Sequence, residues 1–323
     1  MGDSVVSLLS IVVPAYNEAE NIVELHRELT AALAQNGLAY EIVYVDDGST
    51  DSTPKTLLGI YNVDSHVKVI RHRSNMGQTE ALTTGFKNAV GDVIVTIDAD
   101  LQHDPKDIER VIEPITGERA DAVIGWRAIR EESLLGRTVP SRLMNWLGRR
   151  LLGLQIHDFG CGLKAYKTEC VRNVIVEGEG HLYLPAAVAV RGYRVSEVKI
   201  NDRGRGSGSS KFGASMMRRQ FLDLVFFWFL LRYWRRPMHF FGSVGLALVL
   251  VGIVAGAVQV LRFLLYNPTT LMTPLLLLAF FLTLAGIQFI STGILFEILM
   301  RPHGRSFEVQ PEFVLSHETS SRN

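Results

Sequence analysis

Two aspartates, Asp98 and Asp100, stand at the end of an apolar stretch, residues 93–97, and could do chemistry together. The stretch contains only valine, isoleucine and threonine, which is typical of a strand buried on both faces of a parallel sheet. If the extended backbone continues, side chains two residues apart leave the same side, so both carboxylates can converge on one hard cation or one diphosphate. Alternatively, the acids merely end the strand and cap a helix that starts near Lys106. These residues alone favour neither interpretation.

Two other polar segments follow predicted strands in the first half of the chain. In PAYNEAEN, residues 14–21, Asn17 or Glu18 can cap the next helix, whose free amides can face a negative group. In VDDGSTD, residues 45–51, an aspartate at the strand end can accept hydrogen bonds from a ribose or a base. An Asx turn followed by a threonine or aspartate helix cap explains the second segment equally well. Neither motif is specific alone.

Two later segments carry glycines beside charged residues. In HDFGCGLKAY, Asp158 is a candidate for direct chemistry, because glycines at 160 and 162 let the backbone turn tightly and approach a ligand. In NDRGRGSGSSKFG, Arg203, Arg205 and Lys211 lie in a loop rich in glycine and serine, which makes the loop an anion trap. Its spacing does not match a Walker loop. An ordinary linker to a membrane part, or more weakly an RNA-binding segment, is the alternative.

Residues 141–152 are predicted to form an amphipathic helix, with Arg142, Arg149 and Arg150 placed among leucines and Trp146. The basic face of this helix could contact phosphates or lipid head groups. Equally, the segment could be a surface helix that packs its leucines on the sheet.

The order of strands and helices predicts an α/β fold. Apolar runs of strand length alternate with segments of helical period, which argues for a doubly wound, mostly parallel sheet with helices on both faces. The predicted strands cover residues 8–14, 41–46, 67–72, 93–98 and 122–125, with an edge strand at 194–200, and the predicted helices cover residues 17–35, 53–61 and 79–90. The first helix has one apolar stripe, formed by Ile22, Leu25, Leu29, Ala32 and Leu33.

Length and composition set the remaining limits. The chain has 323 residues, more than an ordinary domain of ~100–200 residues, and 47% of them are hydrophobic. Its 33 basic and 33 acidic residues balance, so no general attraction to nucleic acid is expected. Cys161 and Cys170 fit neither a disulfide framework nor a zinc spacing and are expected to be reduced thiols. Residues 5–13 are apolar but lack the basic flank and cleavage site of a secretory signal.

The last third of the chain is predicted to meet a membrane. Residues 240–261 and 271–296 are uncharged, and each is long enough to provide the ~20 residues that cross a bilayer. Residues 221–234 are shorter and flanked by basic residues, which favours an interfacial helix. Basic residues precede the first span and follow the second, so the catalytic part and the tail are predicted to be cytoplasmic. The predicted divisions are residues 1–212, a catalytic domain; 213–237, juxtamembrane amphipathic helices; 238–300, a transmembrane hairpin; and 301–323, a cytoplasmic tail.

Taken together, the motifs resemble those of a known family. PAYNE, DDGSTD, SNMGQ and DADLQHDP, in this order and roughly this spacing, are similar to the catalytic domain of glycosyltransferase family 2. GWR, RTVPSRLMN and DFGCGLKAY narrow the resemblance to the polyprenyl-phosphate glycosyltransferases. This group includes dolichol-phosphate mannose synthase, bacterial polyprenyl-phosphate glucosyltransferases and undecaprenyl-phosphate aminoarabinose transferase. The resemblance covers nearly the whole chain and implies the fold of a nucleotide-diphospho-sugar transferase.

The resemblance also implies roles for residues through their places in these motifs. The nucleotide pocket would be formed by Pro14, Tyr16, Glu18, Asp46, Asp47, Gly77 and Asp98. A divalent cation on the donor diphosphate would be held by Asp98, Asp100 and Gln102, an oxygen-rich set that suits Mg²⁺ or Mn²⁺ better than zinc. The acceptor phosphate would be bound by Arg127, Arg142, Arg203, Arg205 and Lys211. Asp100 and Asp158 would be catalytic, Asp158 by orienting the acceptor or taking its last proton. Asp104 replaces a proline usual in the family and removes no ligand.

The expected function is an inverting, metal-dependent transfer of one hexose from a UDP- or GDP-sugar to undecaprenyl or dolichyl phosphate. The cation would offset charge on the departing nucleoside diphosphate. A phosphate monoester has a second pKa of ~6, so the acceptor is already an anion near neutral pH and a strong general base is optional. Expected partners are the nucleotide sugar, the polyprenyl phosphate and a membrane, most readily the plasma membrane of a prokaryote, without nucleic acid. The sequence does not decide whether the protein forms a homo-oligomer.

Two alternatives are weighed against this expectation. A processive polysaccharide synthase would need a QxxRW motif and usually more spans, and the sequence shows neither. A non-catalytic, membrane-anchored module that binds nucleotide or lipid would not need the acids at 47, 98 and 100 together with the basic loop.

Overall fold

The computed structural model describes residues 6–127, 146, 149–150, 153–172, 180–201, 203, 222, 224–229, 232–233, 236–266 and 274–300. Arg142, Arg205 and Lys211, most of the predicted helix at 141–152 and the predicted tail at 301–323 lie outside the described residues. The chain divides into two compact units, Met1–Trp228 and Phe229–Asn323. The finer boundaries at 212 and 237 stay predictions.

The first unit contains a mixed sheet, in which seven strands are found among the described residues. They are β1 (Leu8–Ala15), β2 (Ala39–Asp46), β3 (Val67–Arg71), β4 (Val93–Thr96), β5 (Ala122–Arg127), β6 (Lys164–Lys167) and β7 (Val195–Ile200). Their order is β3-β2-β1-β4-β6-β5-β7, and neighbours are parallel except for β6, which is antiparallel to β4 and β5. The predicted α/β fold with a mostly parallel sheet is confirmed.

Helices connect these strands and bury their apolar faces. Among the described residues of this unit, the helices with defined bounds are α1 (Ala19–Asn36), α2 (Thr53–Tyr61), α3 (Gln78–Asn88), α4 (Ile108–Thr116), α5 (Thr168–Val171) and α6 (Leu184–Val190), with 3-10 turns at Pro105–Asp107 and Gly180–Leu182. The predicted stripe of α1 is buried in full: Ile22, Leu25, Leu29, Ala32 and Leu33. Because these residues recur every three or four positions, one side of α1 packs on the sheet while the other meets solvent. All of β4 is buried, as its β-branched composition predicts for a central strand.

Strand β6 was missed by the sequence analysis. It faces β4 with Thr96 opposite Lys164 and Ile94 opposite Tyr166. Because β6 runs antiparallel, its first residue, Lys164, lies at the carboxyl end of β4 and its last, Lys167, at the amino end. Residues two apart on a strand share a face, so Lys164 and Tyr166 point to the same side of the sheet.

The second unit contains two long apolar helices, α7 (Pro237–Tyr266) and α8 (Pro274–Met300). Both are long and apolar enough to cross a membrane, in agreement with the predicted spans at 240–261 and 271–296. They pack closely at Gly245 and Gly286: a Cβ on Gly245 would lie 2.6 Å from the carbonyl oxygen of Gly286. The predicted interfacial helix contains helical residues on both sides of the boundary between the units: 222 and 224–228 in the first, and 229 and 232–233 in the second. Their interfacial placement stays a prediction.

Candidate active site at the carboxyl edge of the sheet

The carboxyl ends of β1, β2 and β4 are neighbours, because β1 pairs in parallel with both other strands. Just beyond the strands, the Asp47 amide donates to the Ala15 carbonyl at 2.8 Å, and the Ile97 amide donates to the Val12 carbonyl at 3.2 Å. The three polar loops predicted from the sequence therefore leave one edge of the sheet side by side. Open α/β sheets bind their ligands at this edge.

The first two of these loops are tied to each other. The side-chain oxygen of Asn17, a residue at φ 57°, accepts from the Thr50 amide at 2.9 Å. The amide of Asn17 donates to Ser49 Oγ, and that of Glu18 to Thr53 Oγ1, both at 2.9 Å. The predicted capping of α1 by Asn17 or Glu18 is wrong, because the N-cap residue Glu18 makes no side-chain capping bond. The second loop, rather than a bound anion, uses these amides.

Asp46 supports the turn of the second loop. One of its oxygens accepts from the Ser49 amide at 2.9 Å, an Asx turn, and the other lies 3.1 Å from Arg71 Nε. The carboxylate is fully buried. In contrast, Tyr16 is 36% exposed and Pro14 is half-buried, so both can be reached by a nucleotide.

Asp47 holds the segment that leads into α3. Its two oxygens accept from the amides of Met76 at 2.9 Å and Gly77 at 2.8 Å. His72 Nδ1 lies 2.8 Å from the same carboxylate. Gly77, with φ 96°, is the N-cap residue of α3. Asp47 thus fixes the backbone at the start of α3, a structural role that the sequence did not predict.

The loop after β4 does not have the geometry from which its chemistry was predicted. β4 ends at Thr96 and the chain then turns, so Asp98 and Asp100 do not share a strand face. Leu101 has φ 61°, an uncommon conformation for a residue other than glycine. The Gln102 amide donates to Asp100 Oδ1 at 3.2 Å. A constrained turn, rather than strand alternation, places the two acids and Gln102 in one loop.

The two acids do not cap the helix that follows them. Asp104 does so, because its side chain accepts from the Lys106 amide at 3.0 Å at the start of the 3-10 turn. The helix-capping alternative for Asp98 and Asp100 is therefore wrong. The aspartate that replaces a proline in the family pattern is the residue that starts the helix.

Asp98 is backed by the segment that contains Gly162. Gln78 Nε2 donates to Asp98 Oδ1 at 2.7 Å, and His103 Nε2 lies 3.8 Å from Asp98 Oδ2. The Gly162 amide donates to His103 Nε2 at 3.2 Å, and a Cβ on Gly162 would collide with the Asp98 carboxylate. Only glycine fits at this close approach. Burial raises the pKa of Asp98, but hydrogen bonding and charge from His103 outweigh it and hold that pKa below its ordinary value.

The side chains of this loop fit a hard divalent cation. Asp98 is 29% exposed at the edge, whereas Gln102 is buried. Gln102 Nε2, a donor and not a cation ligand, has no hydrogen-bond partner within the described part of the chain. Carboxylate and amide oxygens are ligands that Mg²⁺ and Mn²⁺ accept. Over the described ranges, no group of three or more His, Cys, Asp or Glu residues could hold a metal, and the predicted set contains only two such residues.

Asp158 and Arg127 form a buried ion pair. Arg127 Nε donates to Asp158 Oδ2 at 2.8 Å, and Nη2 donates to Oδ1 at 3.3 Å. Glu197 of β7 fixes the backbone here, because its Oε1 accepts from the amides of His157 at 2.7 Å and Asp158 at 3.2 Å. The structure therefore joins a predicted catalytic residue to a predicted phosphate ligand, an arrangement that favours the orienting role for Asp158.

Arg203, predicted to bind the acceptor phosphate, is held by two carboxylates. Its guanidinium contacts Glu28 Oε2 at 2.6 Å and Asp104 Oδ1 at 2.8 Å. Its amide donates to the Gln102 carbonyl at 3.0 Å. The first basic residue of the predicted anion trap is thereby attached to the loop that carries the cation ligands.

A small cavity behind Asp98 was not predicted. It is bounded by Lys164 and Tyr166 of β6, by α3 and by His181. The spacing of Lys164 and Tyr166 could have indicated a shared face, but KAYK is short and carries two charges, so it does not have the pattern of a buried strand.

Comparison with known proteins agrees with this geometry. The family model "Glycosyl transferase family 2" matches residues 10–175. Dodecaprenyl-phosphate galacturonate synthase of Rhizobium johnstonii is 36% identical over 97% of this chain and 94% of its own length. Undecaprenyl-phosphate 4-deoxy-4-formamido-L-arabinose transferase of Yersinia pestis is 32% identical over 91% of this chain and 88% of its own length.

A solved structure shares the fold. Glucosyl-3-phosphoglycerate synthase from Mycobacterium tuberculosis, determined with Mn²⁺, uridine diphosphate and phosphoglyceric acid, matches with a TM-score of 0.55. The match covers 69% of this chain and 78% of the other at 21% identity, so it concerns the fold.

Sheet, edge and acidic loop together define a glycosyltransferase of the nucleotide-diphospho-sugar type. The chain belongs to glycosyltransferase family 2, and the relatives named above are polyprenyl-phosphate sugar transferases.

Proposed function

We propose that this protein transfers one sugar, with inversion, from a nucleotide sugar to a polyprenyl phosphate at a membrane surface. The observation that carries the proposal is the loop from Asp98 to Gln102, which joins two carboxylates and a buried amide beside the ends of β1 and β2. The names of the two curated relatives support the acceptor class, and the apolar helices α7 and α8 support a membrane location.

The donor is proposed to lie along the carboxyl edge, with its nucleotide near Pro14, Tyr16 and Glu18. Asp46, Asp47 and Gly77 support this pocket from within through the hydrogen bonds of their loops. Asp98, Asp100 and Gln102 would hold Mg²⁺ or Mn²⁺, which supplies Lewis-acid stabilisation of the departing diphosphate. The chain's own contribution is to fix these groups before the donor arrives, which lowers the cost of organising charge during transfer.

The acceptor phosphate is proposed to bind on the side of Arg127 and the basic loop. The candidates are Arg127, Arg142, Arg203, Arg205 and Lys211. Because the phosphate oxygen is already anionic near neutral pH, the site needs to orient it more than to deprotonate it. The ion pair between Arg127 and Asp158 suits this task, since Asp158 fixes the direction of the guanidinium.

We further propose that both apolar helices span the plasma membrane of a prokaryote, with the catalytic unit and the tail in the cytoplasm. The basic residues that flank the two spans on this side support the orientation. A cytoplasmic site would give a water-soluble donor direct access to a phosphate at the membrane surface.

The test is transfer of labelled sugar into lipid. Detergent-solubilised full-length protein is incubated with undecaprenyl phosphate and a panel of UDP- and GDP-sugars, and lipid products are read by mass. Asp100→Ala is expected to reduce transfer ~10²–10³-fold, a loss typical of removing a key electrostatic group. Glu109→Ala, an exposed acid on α4, is the matched control and should leave transfer unchanged.

Three outcomes contradict the proposal in different ways. Retention of most activity by Asp100→Ala would remove the assignment of the cation ligands. A long polysaccharide in place of a single lipid-linked sugar would favour the processive synthase. Absence of transfer from every donor, with nucleotide binding intact, would favour the non-catalytic module.

A further inference from the structure

The cavity behind Asp98 lies between the sheet and α3. Its lining includes Lys164 and Tyr166 of β6, Leu82 and Phe86 of α3, and Leu184 of α6. Asp98 lines the same cavity, so it adjoins the place proposed for the donor diphosphate. The volume is ≈ 50 Å³.

Two buried side chains that can donate hydrogen bonds, Lys164 and Tyr166, line this cavity. Lys164 is only 4% exposed, and its ammonium, which has three N–H bonds, donates to the His181 carbonyl at 2.9 Å. Tyr166 is fully buried, and its hydroxyl has no hydrogen-bond partner among the residues that the structure describes. Burial raises the pKa of Tyr166 well above its ordinary value, so the hydroxyl keeps its proton. Buried donors of this kind indicate an absent acceptor.

The charged side chains that line the cavity are Lys164 and Asp98. Asp158 compensates Arg127 through their ion pair. Burial and the charge of Lys164 lower the pKa of His181 to about 3, so this imidazole is neutral. Burial lowers the pKa of Lys164 to about 8, which still leaves the ammonium mostly protonated at neutral pH. If Asp98 holds the proposed divalent cation, Lys164 faces no second carboxylate among the residues that line the cavity.

Size excludes most occupants. A cavity of ~150 Å³ accommodates benzene, with six heavy atoms, so one about a third as large accommodates a group of two to four heavy atoms. A hexose or a diphosphate is too large. A carboxylate, with three heavy atoms and two acceptor oxygens, fits both the volume and the two donors.

We infer that this cavity receives the carboxylate of the transferred sugar, so that the donor is a nucleotide-activated hexuronate and Lys164 and Tyr166 determine that specificity. The inference rests on the proposed function and names its substrate class. The two curated relatives differ in this respect, because a galacturonate carries a carboxylate and a formamido-arabinose is uncharged. The buried ammonium of Lys164 in the cavity supports the acidic sugar for this chain.

The test compares sugars that differ only at C6. Wild-type protein is assayed with undecaprenyl phosphate and the pairs UDP-glucuronate and UDP-glucose, and UDP-galacturonate and UDP-galactose. A charge-assisted hydrogen bond in a buried site predicts that kcat/KM for the preferred hexuronate exceeds that for its neutral partner by ~10–100-fold. Melting temperature with each nucleotide sugar provides a second reading that does not need turnover.

Variants then locate the preference. Lys164→Met is expected to lower kcat/KM for the hexuronate ~10–100-fold and to remove the preference over the neutral sugar. Tyr166→Phe, which deletes only the unpartnered hydroxyl, should lower it ~3–10-fold without loss of thermal stability. Lys167→Met is the matched control on the same strand, because Lys167 pairs with Asp121 at the other edge, and it should leave the preference intact.

Two results would overturn the inference. In the first, wild-type protein transfers a neutral hexose as well as or better than its uronate, a result that leaves the proposed function standing. In the second, the uronate is preferred but Tyr166→Phe and a folded Lys164→Met keep that preference. If Lys164→Met does not fold, the wild-type pairs and Tyr166→Phe decide. Failure of every donor would refute the proposed function instead.

Discussion

The two edges of the catalytic sheet use similar side chains in opposite ways. At the amino edge, Asp121 accepts hydrogen bonds from Arg194 Nε at 3.1 Å and Nη2 at 3.0 Å and pairs with Lys167 Nζ at 2.9 Å. Asp92 at this edge accepts from the Ser7 amide at 2.8 Å and the Leu8 amide at 3.1 Å. These carboxylates are saturated by the protein itself.

At the carboxyl edge, some buried polar atoms near β4 and β6 lack hydrogen-bond partners among the described residues. The side-chain nitrogen of Gln102, Nε2, and the Tyr166 hydroxyl are buried without hydrogen-bond partners in the described ranges, and Gln78 donates to Asp98 at 2.7 Å. Networks in which every group is satisfied make a structure rigid, whereas unsatisfied buried groups cost stability unless a ligand pairs with them. The contrast indicates that the amino edge maintains the fold and that the carboxyl edge is shaped for a ligand. Each edge can be tested by substitution.

Among the substitutions that compare the two edges, Gly162→Ala is expected to have the largest effect. Its Cβ would push the Asp98 carboxylate away from the cation site, so transfer should fall at least ~100-fold, a loss expected when a reacting group is displaced by about 1 Å. Transfer assays with titrated Mn²⁺ provide the measurement. Gly160→Ala is the control, because a Cβ there meets its nearest atom, Asp158 Oδ1, at an ordinary 3.7 Å. Equal losses in both variants would show that the segment tolerates no side chain and that Asp98 is not the cause.

Asp121→Asn should damage the amino edge alone. Loss of its charge-assisted bonds is expected to cost about 1–3 kcal/mol of unfolding free energy, while kcat/KM of the folded enzyme stays within ~2-fold of wild type. Melting followed by near-UV circular dichroism, alongside transfer assays, measures both. A large fall in kcat/KM without a change in melting temperature would break the proposed division between the edges.

The same variant makes a prediction about pH. Burial raises the pKa of Asp121. Hydrogen bonds from Arg194 and the charge of Lys167 lower that pKa by more than burial raises it, so the folded-state pKa lies well below the ordinary value. A depressed pKa adds stability above the unfolded pKa of ~3.9, and this stability is lost as the pH falls through the folded pKa. The difference in melting temperature between wild type and Asp121→Asn should therefore shrink from pH 7 to pH 3. A constant difference would show that ionisation of Asp121 does not contribute.

The smallest effect is expected from Arg203→Ala. Arg203 is partly exposed and held by Glu28 and Asp104, and such ion pairs contribute ~1 kcal/mol or less. We expect KM for undecaprenyl phosphate to rise by less than ~3-fold, whereas Arg205→Ala, if Arg205 contacts the phosphate, should raise it ~10-fold. Lipid titrations at saturating donor compare the two. A larger effect for Arg203 would show that it contacts the phosphate directly.

Much of the fold was predictable because its signals are local. The stripe of α1 and the β-branched run of β4 each follow from the period of burial, and both are found where they were expected. The antiparallel β6 was not predictable in this way, because a four-residue strand has too few positions to show a period. Its place between β4 and β5 depends on contacts with residues about 40 to 70 positions earlier in the chain.

The candidate site also has features that the sequence could predict and features that it could not. The clustering of the three acidic loops followed from the rule that parallel strands end at one edge. What each acid does there could not be predicted, because it depends on partners distant in sequence. Asp47 accepts from amides some 30 residues later, Asp158 pairs with Arg127, and Asp98 needs a glycine at 162. A residue that the sequence predicts to bind a ligand, such as Asp47, can therefore stabilise the backbone instead.

The contact between α7 and α8 bears on how the protein could recognise a lipid substrate. At Gly245 and Gly286 the two backbones nearly touch, so this part of the hairpin has no groove between its helices for an isoprenoid chain. A tail that follows the hairpin past this point must run along its outer surface, where it remains solvated by bilayer lipid. If the acceptor is a polyprenyl phosphate, as proposed, we expect the protein to recognise its phosphate more than its tail, so that acceptors of different lengths are used almost equally.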